Sequence, residues 1–245
     1  MIKKIVILGA LLIQLGCASI PSEQRIAEDP WEPLNRSVYK FNAGLDKVVI
    51  KPATRGYRIL PFFARAGMRN FFSNLYDVPT AVNNLLQGKV KHAGSDTARF
   101  LINTTLGIGG FIDVATPAGL EKHFETFGQT LGVWGVSPGP YLILPVLGPS
   151  TVRDTAGLPV DYRLSPLLYL NERPVTDRLR IFETLNIRSG LINTEEKTGI
   201  GFYDSYEQMR AVYLTSIAHA VADGVEEEGA GDDLRNELED LDDDE

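Results

Sequence analysis

Cys17 is the only cysteine of the 245-residue chain, and its thiol is the most distinctive reactive group in the sequence. Without a second thiol it cannot form an internal disulfide. Lys3 and Lys4 precede an uncharged apolar stretch over 5–13, and Gly16 places a small residue directly before the cysteine. This order is typical of a signal peptide, because the apolar stretch is too short to anchor a protein by spanning a bilayer.

The position of Cys17 at the end of signal peptide 1–16 predicts thioether attachment of a diacylglycerol. An amide-linked acyl chain such as palmitate would then give more than one buried tail, which is enough for stable anchoring. Gln14 stands where the usual motif has leucine, so an ordinary signal peptide with an incidental cysteine is the alternative. The residue after the cysteine is Ala18, whereas lipoproteins retained at the inner membrane typically have aspartate at this position. We therefore expect a lipid-anchored protein on the periplasmic side of the outer membrane.

A second pattern imitates a catalytic motif. Gly135, Ser137 and Gly139 have the G-x-S-x-G spacing of a hydrolase nucleophile elbow, and His219 follows downstream. Pro138 argues against this chemistry, because the residue after the serine must donate its backbone N–H to the oxyanion and proline has none. Loss of one such donor typically costs a factor of about 10²–10³ in rate. The sequence therefore favours a protein that is not an enzyme.

No cofactor or metal is expected. His92, His123 and His219 are far apart in sequence and form no H-E-x-x-H pattern, so surface or helix-end positions are expected for them. The glycine-rich run over 107–110 does not match G-x-G-x-x-G, and no Walker-type phosphate loop occurs.

The formal net charge of −8 is concentrated at one end of the chain. Residues 223–245 contain thirteen acidic residues and one basic residue, Arg235, whereas the preceding body is nearly neutral. Because like charges repel and few apolar groups are available for burial, we expect a disordered acidic tail. The sequence contains no basic stripe of the kind that nucleic acid binding would require. The remaining chain is expected to form a linker over 17–28 and one helical domain over 29–222.

An all-α architecture is predicted, because two-residue alternation is scarce and helical spacing is common. The first helix is expected to begin with Asp29 as cap, Pro30 in its first turn and Glu32 completing a capping box. Its apolar stripe would suit either the membrane interface or packing against other helices. The stripe consists of Trp31, Leu34, Val38, Phe41, Leu45 and Val48. Further helices are expected at about 61–76, 79–87 (stopped by Gly88), 94–106, 120–133, 174–188 and 203–222.

Two apolar stretches are long enough to reach across a bilayer but are interrupted by glycine and proline. Residues 126–152 contain no charged side chain, and residues 100–120 contain only Asp113. Such broken backbone cannot form a straight transmembrane helix. Either it forms a hairpin in a soluble core, or it lies at membrane depth where protein buries it or it lines a cavity.

Several co-ordered motifs resemble the MlaA (VacJ) family of outer-membrane lipoproteins. They are DPWE at 29–32, NR at 35–36, YKFN at 39–42, RFLINT at 99–104, LGIGGFID at 106–113, GVWGV at 132–136, GPY at 139–141, LP at 144–145, GPS at 148–150 and RD at 153–154. With the helix over 206–213, the similarity covers about 29–215. The resemblance implies a ring-like bundle of amphipathic helices embedded in one membrane leaflet, with a central polar channel.

The resemblance also implies a function. Family members remove phospholipid that has strayed into the outer leaflet and pass it to a periplasmic carrier of an inner-membrane ABC transporter, and they associate with trimeric porins. A structural lipoprotein that bridges porins to periplasmic components without moving lipid is the alternative. By family match, a hairpin beside the channel contains Gly139, Pro140, Tyr141, Leu142, Leu144, Pro145 and Gly148. Phe41 and Asn42 correspond to a helix that affects gating.

Overall fold

The computed structural model describes residues 29–170 and 173–222, where helices surround one two-stranded hairpin. The all-α class is confirmed, with strands as scarce as the sequence predicts. Cys17, with the predicted signal peptide and linker over 1–28, lies outside the described residues, as does the acidic run over 223–245.

The helices are α1 (Glu32–Leu45), α2 (Lys51–Tyr57), α3 (Phe62–Leu86), α4 (Val90–Thr105), α5 (Phe127–Val133), α6 (Val152–Leu164), α7 (Arg173–Thr198) and α8 (Tyr206–Ala222). A π-helical turn, Asp46–Ile50, joins α1 to α2, and a 3-10 turn, Pro166–Tyr169, follows α6. Strands β1 (Tyr141–Leu144) and β2 (Gly148–Thr151) are antiparallel, with Tyr141 opposite Thr151 and Leu144 opposite Gly148.

The start of α1 differs from the prediction. Trp31 occupies the cap position and no side chain caps the helix, so the predicted capping box of Asp29 and Glu32 is wrong. The Asp29 carboxylate is instead completely buried and accepts hydrogen bonds from Asn35 at 2.7 Å and Arg210 at 2.9 Å. A buried charge needs such partners, so Asp29 fixes α1 against α8 rather than capping it.

Helix α3 runs from Phe62 to Leu86 with Pro79 inside it. Proline lacks a backbone N–H and crowds the preceding turn, which is why the sequence predicts separate helices over 61–76 and 79–87. That division is wrong. α3 and α4 form the most extensive helix pair among the described residues, and this packing outweighs the loss of one hydrogen bond. The predicted stop at Gly88 is confirmed.

Helix α6 is absent from the sequence prediction because Gly157 and Pro159 interrupt its pattern. The structure explains the glycine. A Cβ at Gly157 would lie 2.6 Å from the backbone nitrogen of Gly128 in α5, so only glycine permits this close helix crossing. The π-helical turn and α2 are likewise not predicted.

The remaining boundaries also move. α4 begins at Val90, α7 continues to Thr198, and α8 begins at Tyr206. α5 contains only the last part of the predicted 120–133 helix, because Thr126 caps it there. The Thr126 hydroxyl accepts from the Gln129 backbone N–H at 3.3 Å, and the Gln129 side chain accepts from the Thr126 N–H at 2.6 Å.

The elements close a ring of neighbours. α1 continues through the π-helical turn into α2, which packs on α7, and α7 packs on α3. α3 contacts α5, α5 contacts α8, and α8 contacts β2. β1 then packs on α1 and completes the circuit. This ring-like arrangement agrees with the predicted bundle.

Candidate functional site

The polarity of the fold is inverted. Among the largest fully buried side chains, only Tyr141 is aromatic, and the others are amides, hydroxyls and carboxylates. They are Asn35, Asn42, Asn83, Asn84, Thr54, Thr80, Thr130, Thr151, Asp29, Asp77 and Asp96. Globular proteins in water usually bury aliphatic side chains and keep such polar groups at the surface. The interior here is instead mainly a hydrogen-bonded polar network, with a small apolar core around Tyr141, Ile143, Tyr206 and Met209.

The exterior shows the complementary pattern. Ile59, Phe62 and Phe63 are 85%, 71% and 77% exposed immediately around the start of α3. Further exposed large apolar residues follow α4 and surround the hairpin. They are Leu106, Ile108, Phe111, Ile112, Val133, Trp134, Val136, Val146 and Leu147. Contiguous exposed apolar surface marks contact with protein or membrane.

Both broken apolar stretches contribute to this exterior. Ile108 and Phe111 come from 100–120, whereas Trp134 and Leu147 come from 126–152. The second stretch also supplies the buried residues of β1, so it combines a hairpin with exposed apolar surface. In 29–170 and 173–222, no helix is both long enough and apolar enough to cross a membrane.

Helix α1 shows the same inversion on a smaller scale. Its buried residues are Asn35 and Asn42, whereas Trp31 and Phe41 of the predicted apolar stripe are 43% and 50% exposed. Val38 packs against the small apolar core. The stripe therefore divides between exterior and core, and the polar face carries the deepest contacts of the helix.

Asn35 and Asn42 bind the hairpin as a neighbouring strand would. The Asn35 amide donates to the Tyr141 carbonyl at 3.0 Å and accepts from the Ile143 N–H at 2.9 Å. The Asn42 amide donates to the Leu144 carbonyl at 3.0 Å and accepts from the Val146 N–H at 2.9 Å. Seven residues separate the two asparagines, so they lie on one face of α1, two turns apart. Together they fix the hairpin to this helix.

The structure thus brings together two predicted groups of site residues. Asn42 contacts the hairpin directly, whereas the neighbouring Phe41 points to the exterior. Asn35 is a third component that the sequence reading did not identify. Its spacing of seven from Asn42 is the signal that could have identified it.

The hairpin residues occupy different environments. Tyr141 and Ile143 face the core, in contact with Tyr206 and Met209, whereas Leu142 and Leu144 are half-buried on the opposite face of β1. At the ends, Gly139 and Pro140 lead into β1, Pro145 is exposed in the turn, and Gly148 begins β2 with a φ of +90°.

Val146 at the tip of the hairpin has a φ of +70°. A β-branched residue adopts this left-handed conformation only at an energetic cost. The Val146 N–H bonds to Asn42, so the contact with α1 helps to hold the strained turn.

A buried ionic cluster joins α3, α4 and the following loops. Asp77 is completely buried and accepts a hydrogen bond from the Lys122 ammonium, while Arg99 Nε lies 3.9 Å from Asp77 Oδ2. Burial raises the pKa of Asp77, although Lys122 and Arg99 oppose this shift. Asp113 lies 3.4 Å from Arg99. The cluster stabilises the polar interior between helices whose outer surfaces are apolar.

The hydrolase-like motif is not assembled with its histidine. Ser137 is exposed, and its hydroxyl accepts from the Gly139 N–H at 3.3 Å. His219 instead lines a separate cavity of about 310 Å³ with His92 and His123. The three histidines are therefore neighbours despite their separation in sequence.

Within the histidine-lined cavity, the rings of His92 and His123 stack with centroids 4.1 Å apart. His123 Nδ1 lies 3.0 Å from Asp96 Oδ1. His92 and His219 are exposed near helix ends, as predicted. Across the described ranges, no group of three or more His, Cys, Asp or Glu side chains is arranged to hold a metal ion.

A closed helical ring with a polar interior, an apolar exterior and a helix-bound hairpin defines a class of protein suited to lipid contact. The chain belongs to the MlaA lipoprotein family, whose model, described as "MlaA lipoprotein", matches residues 27–219.

Relatives and a solved structure support this membership. In Shigella flexneri, the "Intermembrane phospholipid transport system lipoprotein MlaA" is 38% identical over 195 residues, covering 77% of this chain and 76% of that protein. The protein of the same name in Escherichia coli K12 is 42% identical over 157 residues, or 61% of each chain. An uncharacterised Rickettsia typhi protein is 45% identical over 143 residues, and the chain spans 57% of its length.

The fold is also similar to that of a solved chain from work on the structural basis for maintenance of bacterial outer membrane lipid asymmetry. The TM-score is 0.68 with 32% sequence identity, covering 79% of this chain and 98% of that chain.

Proposed function

We propose that this protein is an outer-membrane lipoprotein that removes mislocalised phospholipid from the outer leaflet and thereby maintains lipid asymmetry. The inverted polarity of the fold is the observation that carries the proposal. An apolar exterior lowers the cost of immersion among acyl chains. A polar interior offers hydrogen-bonding groups to a headgroup that would otherwise lose its hydration.

The transport step needs no covalent chemistry. A phospholipid headgroup that crosses hydrocarbon pays a large desolvation penalty. A polar channel through the helical ring lowers that penalty, because amides, hydroxyls and paired charges replace water. The buried asparagines and the Asp77 cluster support this route by their chemistry.

The hairpin is proposed to flank the channel and to gate it through α1. Asn35 and Asn42 couple the two elements by four hydrogen bonds. A displacement of α1 therefore changes the position of the hairpin. Leu142 and Leu144, on the face of β1 opposite the core, are the hairpin side chains proposed to face the passing lipid.

The anchor and the partners complete the proposal. Acyl chains on Cys17 would hold the ring on the periplasmic side of the outer membrane. The lipid would pass to a soluble periplasmic carrier that serves an inner-membrane ABC transporter, and the protein would associate with a trimeric porin. The names of the Shigella and Escherichia relatives, which place those proteins in an intermembrane phospholipid transport system, support this assignment.

A deletion strain and reconstituted vesicles test the function. Deletion is expected to raise surface-labelled outer-leaflet phospholipid and detergent sensitivity, and the wild-type gene should restore both. In proteoliposomes, transfer of labelled phospholipid to the carrier should require the protein. Unchanged outer-leaflet phospholipid in the deletion strain would overturn the proposal, and carrier loading without the protein would favour the scaffolding alternative.

A further inference from the structure

Two cavities meet where the C-terminal part of α7 packs against the loop over 199–205. The first has a volume of about 610 Å³ and extends toward α8. The second has a volume of about 510 Å³ and extends toward the π-helical turn and α2. Glu195, Gly201 and Phe202 line both cavities, so the two volumes adjoin.

The first cavity is mainly apolar where it is accessible. Its apolar wall is formed by Leu191, Ile200, Phe202, Met209 and Val212. Ile200 and Val212 are 58% and 66% exposed, so this wall is open to an entering molecule. The volume lies in the range of small-molecule pockets, about 300–1,000 Å³. Each methylene group transferred from water to such a wall is stabilised by the hydrophobic effect. An acyl chain therefore suits this cavity.

The second cavity carries a row of cations. Lys47, Lys51 and Arg55 follow one another at intervals of four residues along the π-helical turn and α2, and all three line the cavity. Lys51 forms an ion pair with Glu195 at 2.8 Å. In the described part of the chain, Lys47 and Arg55 form no ion pair. Two cations at the cavity wall therefore remain available to an anion.

Two of the three acidic side chains of this cavity, Asp46 and Glu195, are paired with cations. Arg188 binds both oxygens of Asp46 at 2.6 and 2.8 Å and also lies 2.8 Å from Glu195. Burial opposes ionisation of Glu195, but hydrogen bonds from Lys51, the Phe202 N–H and Arg188 lower its pKa to about 2. Asp204 accepts from the Gly201 N–H at 2.5 Å. The lining of this cavity therefore carries four basic and three acidic side chains, an excess of positive charge that favours a phosphate.

We infer that the two cavities form one binding site for an anionic amphiphile, with a phosphodiester between Lys47 and Arg55 and an acyl chain against Leu191 and Val212. The inference rests on the proposed function for its physiological meaning, because a phospholipid is such an amphiphile. It adds a defined resting position beside α7. Charge selects the headgroup at one end, and apolar area supplies affinity at the other.

Binding to the purified full-length lipoprotein in a maltoside detergent tests the site. The probes are lysophosphatidylglycerol, a monoacylglycerol of equal chain length, glycerol phosphate and inorganic phosphate. Lys47→Glu/Arg55→Glu should weaken lysophosphatidylglycerol binding by about tenfold or more, because two attractive charges at the cavity wall become repulsive. Monoacylglycerol binding should be unaffected. The matched control is Lys40→Glu, an exposed lysine of α1 outside both cavities.

The apolar end has its own variant. Val212→Trp should fill part of the first cavity and weaken both lipid probes, whereas Ala211→Trp, one position away and outside the cavity, should not. Raising the salt concentration should weaken lysophosphatidylglycerol binding to the wild type but not to the double charge variant. The salt dependence of the wild type is measured on one protein, so a folding defect in a variant does not affect it.

Three outcomes would overturn the site. One is equal lysophosphatidylglycerol affinity in the double charge variant and the wild type. Another is glycerol phosphate or inorganic phosphate binding as tightly as the lipid, which would indicate a free-phosphate site. The third is Val212→Trp without effect. If binding follows the expectation but deletion leaves outer-leaflet phospholipid unchanged, the transport function fails while the binding site stands.

Discussion

Replacement of Asn42 by leucine is the sharpest test of the coupling between α1 and the hairpin. The side chain is 2% exposed and makes two hydrogen bonds to the hairpin, at 3.0 Å to the Leu144 carbonyl and 2.9 Å from the Val146 N–H. Leucine has the same number of side-chain heavy atoms but supplies neither bond. Asn42→Leu therefore removes the polar link.

The expected magnitude follows from those two bonds. A net hydrogen bond contributes about 1 kcal/mol, and a group left unsatisfied and buried costs about 1–3 kcal/mol. Val146 is 57% exposed at the hairpin tip, so water can replace part of the loss. We therefore expect local opening of the hairpin to become easier by about 2 kcal/mol, which corresponds to a roughly 30-fold larger opening constant.

Hydrogen–deuterium exchange measures this opening directly. Amides over 139–151 should exchange about 30-fold faster in Asn42→Leu, whereas amides of α3 and α4 should keep wild-type rates. Lys40→Leu changes an exposed residue of the same helix and serves as the control. Unchanged exchange over 139–151 would refute the coupling. Equal acceleration in α3 and α4 would also refute it, since the effect would then be global.

Three further predictions concern the hairpin and Glu195, which lines the second cavity. Leu142→Arg should raise outer-leaflet phospholipid at normal protein levels, because it places a charge on the proposed lipid-facing side of β1; wild-type lipid distribution would contradict that placement. Val146→Asn should raise the free energy of unfolding by about 1 kcal/mol in thermal or denaturant melts, because asparagine tolerates a φ of +70° better than valine, whereas Leu147→Asn should not. The pKa of Glu195 is about 2 in the folded protein, below its ordinary value of 4.5, so its stabilising contribution should be complete above pH 4.5 and decline as the pH falls toward 2. The melting temperature of Glu195→Gln should therefore change less over that interval than that of the wild type. Parallel plots of melting temperature against pH for the two proteins would contradict this assignment.

Much of the fold could be read from local pattern. The spacing of apolar residues predicts most of the helices, and Gly88 ends α3 as expected. Local rules failed where a distant contact determined the local structure. Asp29 resembles a helix cap, but its carboxylate is needed by Asn35 and Arg210, and Arg210 lies 181 positions away. Pro79 resembles a break, but the packing of α3 on α4 overrides it.

The candidate site was predictable in part. The family match pointed to Asn42 and the hairpin, and the structure brings them into contact. The role of Asn35 was hidden, because a polar residue in an amphipathic helix is ordinarily assigned to the solvent face. The two cavities beside α7 were also hidden. Their lining residues extend from Ala43 to Ser216, and no local pattern relates Lys47 to Val212.

The bonding of β1 to α1 has a consequence for folding. A two-stranded sheet normally has open edges that can pair with strands of other molecules and so promote aggregation. Here the amides of Asn35 and Asn42 form hydrogen bonds with backbone groups of β1 and the turn, so α1 blocks pairing at that edge. Because α1 precedes β1 by about a hundred residues, the blocking helix is synthesised before the strand it protects. Within the described residues, α1 therefore shields the outer edge of the two-stranded sheet from pairing with other chains.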